Sequence, residues 1–77
     1  MEINLLAFGQ AADIAGKTSW KVSDVGDTDG LRVKLAEQFP ILPAIKYSMA
    51  VNKKVVPGNT ELRNGDTVAL LPPFSGG

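Results

Sequence analysis

The 77-residue sequence contains no cysteine and no histidine. Without cysteine, the chain has no disulfide, no thiol nucleophile and no thiolate ligand for a metal. Without histidine, it lacks the commonest general base and the commonest metal ligand of proteins. A chain of this length forms one small domain that buries only about 60% of its unfolded surface, which leaves little room for an enclosed active site. A surface or a tail is therefore the expected working part.

The sequence also lacks an excess of either charge and any long apolar run. It has eight basic and eight acidic residues, and its largest basic cluster is Lys53-Lys54, which we interpret as a solvated turn. This pattern gives no argument for binding to nucleic acid or to an anionic membrane. No run approaches the roughly 20 apolar residues of a membrane span, and the first residues do not resemble a signal peptide. We expect a cytoplasmic protein.

Hydrophobic periodicity predicts one helix and five strands. Asp27 is the expected N-cap of the helix, Leu31, Leu35 and Phe39 recur on one face, and Pro40 ends it. Alternating or β-branched segments predict strands at 2–8, 18–22, 47–52, 55–56 and 67–71. The stretch 9–16, which begins and ends with glycine, is expected to be a loop.

This order of elements predicts an α+β domain in which the helix packs on one face of a single mixed sheet. The first and last strands are the most apolar, so we expect them at central positions. The arrangement is the ubiquitin-like β-grasp fold. We assign residues 1–71 to this domain and residues 72–77 to a C-terminal functional tail.

The tail is the most informative segment, because the sequence ends in Gly76-Gly77 after Pro72-Pro73. Glycine has no Cβ, so such a tail can thread a narrow channel. Proline cannot donate to a strand ladder and has a fixed φ, so the pair ends the last strand and stiffens the exit of the tail. A frayed terminus without function is the alternative interpretation.

Three stretches of the sequence resemble the small subunit of molybdopterin synthase. They are residues 6–16, the stretch from Ala50 to Val56, and residues 64–77 with their Gly-Asp, apolar strand, Pro-Pro and Gly-Gly. Together they extend over nearly the whole chain. Many relatives carry Arg-Glu where this chain has Ala12 and Asp13, so one contact with a partner is expected to differ.

The resemblance implies a sulfur-carrying function with no catalytic side chain and no bound cofactor in this chain. An adenylyltransferase of the ubiquitin-activating type would adenylate the Gly77 carboxylate with ATP, and a sulfur-donating enzyme would convert it to a thiocarboxylate. Gly76 and Gly77 would then enter the large subunit of a heterotetrameric synthase. There the sulfur would pass to a cyclic pyranopterin precursor and form the dithiolene of molybdopterin.

Partner binding is expected at an apolar patch and along the tail. Leu6 and Phe8 lie on the second face of the first strand, and Phe8, Val55 and Leu71 are the candidates for a docking patch, with ordinary core positions as the alternative. In the tail, the candidate contacts with a partner are Pro72, Pro73, Phe74 and Ser75. Phe74 either anchors in the mouth of the partner's channel or packs back on the domain.

Three other functions remain open at this point. The chain could carry sulfur for thiamine thiazole synthesis, because that family is also β-grasp and ends in Gly-Gly. It could be a ubiquitin-like modifier joined to lysines, which requires the same activation chemistry. It could also be an interaction module whose tail is inert.

Overall fold

The computed structural model describes residues 1–72 of the chain. Within this range the chain forms one sheet, two α-helices and a short 3-10 helix at Leu42–Ala44. The strands are β1 Glu2–Ala7, β2 Ser19–Ser23, β3 Ser48–Val51, β4 Lys54–Val56 and β5 Thr67–Leu71. The helices are α1 Gly9–Ala15 and α2 Thr28–Gln38. None of the helices in residues 1–72 is long and apolar enough to cross a membrane.

The five strands are arranged in the order β2-β1-β5-β3-β4. β1 pairs with β5 in parallel, whereas the other neighbours pair in antiparallel fashion. The predicted mixed sheet is therefore confirmed, and the first and last strands occupy adjacent inner positions as expected. This is the β-grasp arrangement, with α2 on one face of the sheet.

The core lies between α2 and one face of the sheet. Ile3, Leu5 and Ala7 alternate along β1 and are buried, as the period of two predicts. From α2, Leu31 and Leu35 are completely buried against them. The rest of the core cluster comes from the other strands, α1, the 3-10 helix and the loops, and its members are Ala11, Val22, Val25, Leu42, Met49, Leu62, Val68 and Leu70.

The N-terminus of α2 is capped twice. Asp27 accepts a hydrogen bond from the backbone N–H of Gly30 at 2.7 Å, as predicted for an N-cap. The second cap comes from the loop before β5, where Asn59 Oδ1 accepts from the backbone N–H of Asp29 at 2.9 Å. A Cβ at Gly30 would lie 3.0 Å from Asp27 Oδ1, so the close approach of the capping carboxylate accounts for this glycine.

The predicted loop at 9–16 is wrong, because most of it forms α1. Alanine is the best helix former, and the stretch between the two glycines is rich in it. Ala11 is buried, and Ile14 packs against the core. Gly16 has a φ of 75° and its N–H donates to the carbonyl of Ala12, so it ends the helix in the left-handed conformation that glycine favours.

Candidate functional site

The sheet face opposite α2 carries a row of apolar side chains from four neighbouring strands. Leu6 on β1 pairs with Ala69 on β5, Ala69 pairs with Ala50 on β3, and Ala50 pairs with Val55 on β4. Because paired residues project from the same face of a sheet, the four side chains form a continuous strip. No helix of residues 1–72 covers this face, which we call the open face.

A shallow groove of about 440 Å³ lies on the open face. Its centre is formed by the two small alanines of β3 and β5, with larger side chains around them. The residues that line it are Leu6, Phe8, Ala50, Asn52, Lys53, Thr67 and Ala69. The groove is thus mainly apolar and has a polar rim at the turn between β3 and β4. Its shape and composition suit a protein partner better than a small charged ligand.

The three residues predicted for a docking patch occupy different parts of this region. Phe8 follows β1, is 48% exposed and lines the groove. Val55 is 57% exposed and lies beside Ala50 in the sheet register. Leu71 ends β5 opposite Ser48 and is half-buried. Phe8 and Val55 are therefore not part of the buried core, and both contribute apolar surface to the open face.

The rim of the groove is organised by Asn52, which lies in the stretch from Ala50 to Val56 that resembles the family but was not predicted as a site residue. Asn52 and Lys53 form a two-residue hairpin turn with φ values of 49° and 74°, and asparagine tolerates such values well. The Oδ1 atom of Asn52 accepts from the backbone N–H of Thr67 at 3.0 Å. Lys53 lines the groove beside it, and Lys54 begins β4. The turn predicted at Lys53-Lys54 is therefore confirmed, with Asn52 and Lys53 as its two residues.

Asp66 caps the turn that precedes β5. Its Oδ2 atom accepts from the backbone N–H of Arg63 at 2.8 Å, and its Oδ1 atom accepts from Asn52 Nδ2 at 3.0 Å. The backbone hydrogen bond from Arg63, followed by that from Asn52, lowers the pKa of this carboxyl below its usual range. The carboxylate thus stabilises the edge of the groove.

The tail begins where β5 ends. Pro72 is exposed and lies against Gly9, the first residue of α1. The other predicted tail residues, Pro73, Phe74, Ser75, Gly76 and Gly77, lie outside the described residues. Residues 1–72 hold no group of three or more acidic, histidine or cysteine side chains that could bind a metal ion.

Comparison with known proteins gives the family. Residues 5–77 match the ThiS family. The chain belongs to the ThiS family. It is 31% identical to a molybdopterin synthase sulfur carrier subunit from Chlamydomonas reinhardtii, over the whole length of both proteins. A protein of the same name from Mycobacterium tuberculosis is 32% identical over all of this chain and 99% of its own length. The predicted family resemblance is confirmed.

Solved structures confirm the fold. A putative molybdopterin converting factor subunit 1 from Pyrococcus furiosus superposes with a TM-score of 0.87 at 17% identity, covering 96% of this chain and 99% of its own. Small archaeal modifier protein 1 from Haloferax volcanii superposes with a TM-score of 0.81 at 22% identity over both whole chains. A chain in a complex of subunits 1 and 2 of the molybdopterin-converting factor from Helicobacter pylori is 28% identical to this chain. The two superpose with a TM-score of 0.74 over the whole length of both.

Proposed function

We propose that this chain is the sulfur-carrying subunit of a molybdopterin synthase. The observation that carries the proposal is the full-length match to relatives with that name, at 31% and 32% identity. The structure adds two compatible features. It has an uncovered apolar groove of a size that suits a partner protein, and the root of its tail lies at the end of β5, beside Phe8, which lines that groove.

The proposed chemistry takes place at the end of the tail. A carboxylate is a poor electrophile, so an adenylyltransferase first joins the Gly77 carboxylate to AMP and releases pyrophosphate from ATP. A donor then delivers sulfide-level sulfur to the acyl carbon, AMP leaves, and a thiocarboxylate remains. In the synthase, the thiocarboxylate sulfur attacks a carbon of the cyclic pyranopterin precursor and displaces an oxygen leaving group. Water then cleaves the bond between the acyl carbon and the sulfur, which leaves the sulfur on the pterin and returns the Gly77 carboxylate.

This chain supplies position rather than catalytic side chains in that scheme. Gly76 and Gly77 have no side chains that would obstruct a narrow channel. Pro72 and Pro73 stiffen the stem, and Phe74 and Ser75 lie next in sequence, where they would contact the channel wall. The catalytic side chains would come from the partner. Because activation consumes ATP, we place the reaction in the cytoplasm.

The open face is the proposed docking surface for the large subunit, with Phe8, Val55 and Leu71 as its apolar contacts. The Helicobacter pylori structure contains subunits 1 and 2 together, which supports a large-subunit partner for this chain. We propose a heterotetramer of two small and two large subunits. The activating enzyme would use the same face at a different step, so the two partners would bind alternately.

Reconstitution tests this function. The chain would be prepared with a C-terminal thiocarboxylate, mixed with the large subunit from the same organism and the cyclic pyranopterin precursor, and assayed for molybdopterin. We expect product from the thiocarboxylate form and none from the carboxylate form, which is the matched control. Absence of product with a large subunit that is active with another carrier would contradict the proposal.

A further inference from the structure

We propose that Gly9 is a positioning residue for the tail. It leaves space for Pro72 to pack at the end of β5, and this contact sets the direction in which the tail leaves the sheet. The inference rests on the proposed function, because it explains how the carrier presents its terminus to a partner.

The contact between the two residues leaves little space for a side chain at position 9. A Cβ on Gly9 would lie 3.1 Å from Pro72 Cβ and 3.2 Å from Pro72 Cγ, which is tighter than most Cβ contacts, so Pro72 would have to shift by a few tenths of an ångström. Gly9 also has a φ of 57°, in the left-handed region that glycine adopts readily. The ring of Pro72 thus lies in tight contact with the space where another residue would carry its side chain.

The contact lies one step beyond the last hydrogen bond between β1 and β5. Ala7 pairs with Leu70, and the N–H of Phe8 donates to the carbonyl of Leu70 at 3.3 Å. Proline has no N–H, so Pro72 cannot continue the ladder on its own. Packing of its ring against the bare backbone of Gly9 therefore replaces the hydrogen bond that would otherwise hold the chain at this point.

The sequence after Pro72 makes its orientation important. Pro73 follows directly, and the φ of each proline is restricted to about −65°, so a change of direction at the root is passed along the stem. Five residues span at most about 17 Å. A rotation of about 10° at the root would therefore move the far end of a rigid, fully extended tail by about 3 Å at most. Misplacement of a reacting group by about 1 Å can reduce a rate about 100-fold.

Gly16 offers a matched control for the substitution of Gly9. Both glycines flank α1 and have positive φ, at 57° and 75°, but a Cβ on Gly16 would meet no atom within 4 Å. Gly9→Ala and Gly16→Ala therefore impose the same kind of backbone strain, and only Gly9→Ala displaces Pro72. Thermal melting of both variants would show that each is folded at the assay temperature.

The first measurement is the single-turnover rate of sulfur transfer from the thiocarboxylate form at saturating large subunit. We expect Gly9→Ala to lower this rate about tenfold or more relative to Gly16→Ala. A Pro72→Gly substitution removes the ring that a new Cβ would meet. In that background, Gly9→Ala should have little additional effect on the rate. Equal rates for the two alanine variants, or an undiminished effect of Gly9→Ala in the Pro72→Gly background, would overturn the inference.

A second measurement reports the position of the tail relative to the domain and does not depend on sulfur transfer. The chain has no cysteine, so Ser75→Cys gives one site for a nitroxide label, whose effect on the backbone amide signals of the domain reports where the tail lies. We expect the same pattern of broadened signals in the unmodified and Gly16→Ala backgrounds and a different one with Gly9→Ala. Identical patterns in all three would contradict the inference, whereas failure of the unmodified chain to transfer sulfur would contradict only the proposed function.

Discussion

The side-chain amide of Asn52 donates a hydrogen bond from Nδ2 to Oδ1 of Asp66 at 3.0 Å. The same amide accepts from the backbone N–H of Thr67 through Oδ1, also at 3.0 Å. One side chain thus joins the turn between β3 and β4 to the turn that precedes β5. Because Asn52 and Thr67 both line the groove, this pair of turns defines one edge of the open face.

Asn52→Asp is expected to destabilise the fold at neutral pH. The substitution tolerates the positive φ, but it replaces the amide donor with a carboxylate that faces the Asp66 carboxylate. Asn52→Gly is the control, because it also permits positive φ and loses the side-chain bonds without adding charge. The melting temperature at pH 7 should be lower for Asn52→Asp than for Asn52→Gly. This difference in melting temperature should become smaller in acid, because the carboxyls protonate. Equal melting temperatures at pH 7 would contradict this account.

The lowered pKa of Asp66 predicts a loss of stability in acid. Its pKa in the folded state is below the unfolded value of about 4, so its contribution is fully present above that value. The contribution decreases as the pH falls through the folded pKa, because protonation removes the carboxylate that accepts from Arg63 and Asn52. Urea unfolding from pH 7 to pH 2 should show the difference between the native chain and Asp66→Asn decreasing over this acidic range. A difference that is constant with pH would contradict the assignment.

Asn59→Ala is expected to lower the free energy of unfolding by about 1 kcal/mol. The amide of Asn59 accepts from Asp29 N–H at 2.9 Å and donates to Asp27 Oδ2 at 3.3 Å, so its removal takes away the second cap of α2. Gln38→Ala, at an exposed position at the other end of α2, is the control and should change stability by less than about 0.5 kcal/mol. Equal effects of the two substitutions in urea unfolding would count against a capping role.

Two exposed valines test the docking surface. Val55 on the open face is 57% exposed and Val33 on α2 is 62% exposed, so they differ chiefly in which side of the domain they occupy. Thr has nearly the shape of Val, but its hydroxyl costs about 1–3 kcal/mol when it is buried without a partner. We expect Val55→Thr to weaken binding to the large subunit by about tenfold, as measured by calorimetry. Val33→Thr should leave the affinity unchanged. A loss of affinity with Val33→Thr but not with Val55→Thr would show that the partner binds elsewhere.

Much of the fold could be predicted from local patterns in the sequence. Alternation or β-branched composition predicted all five strands, and the spacing of Leu31, Leu35 and Phe39 predicted α2. The apolar character of the first and last strands predicted the inner positions that β1 and β5 have in the sheet. The helix α1 was missed because its flanking glycines are typical of a loop. In the folded chain, these glycines mark the two ends of the helix.

The site was less predictable because its contacts join distant parts of the chain. Asn59 lies 30 residues after Asp29, whose N–H it caps, and nothing local to either residue indicates the other. The groove depends on Ala50 and Ala69 being neighbours across the sheet, which follows from the strand order rather than from either strand alone. The assignments to Pro73, Phe74, Ser75, Gly76 and Gly77 remain predictions.

The most direct test of the sulfur-carrier function uses the absence of cysteine. The protein would be purified from cells that contain its own activating enzyme, treated with a thiol-alkylating reagent, and analysed by tandem mass spectrometry. Alkylation is needed because exchange of oxygen for sulfur adds nearly the same mass as oxidation of Met1 or Met49. We predict a single label on Gly77. An unlabelled chain, from cells in which the activating enzyme demonstrably adenylates it, would contradict the sulfur-carrier function and favour a protein modifier or an inert tail.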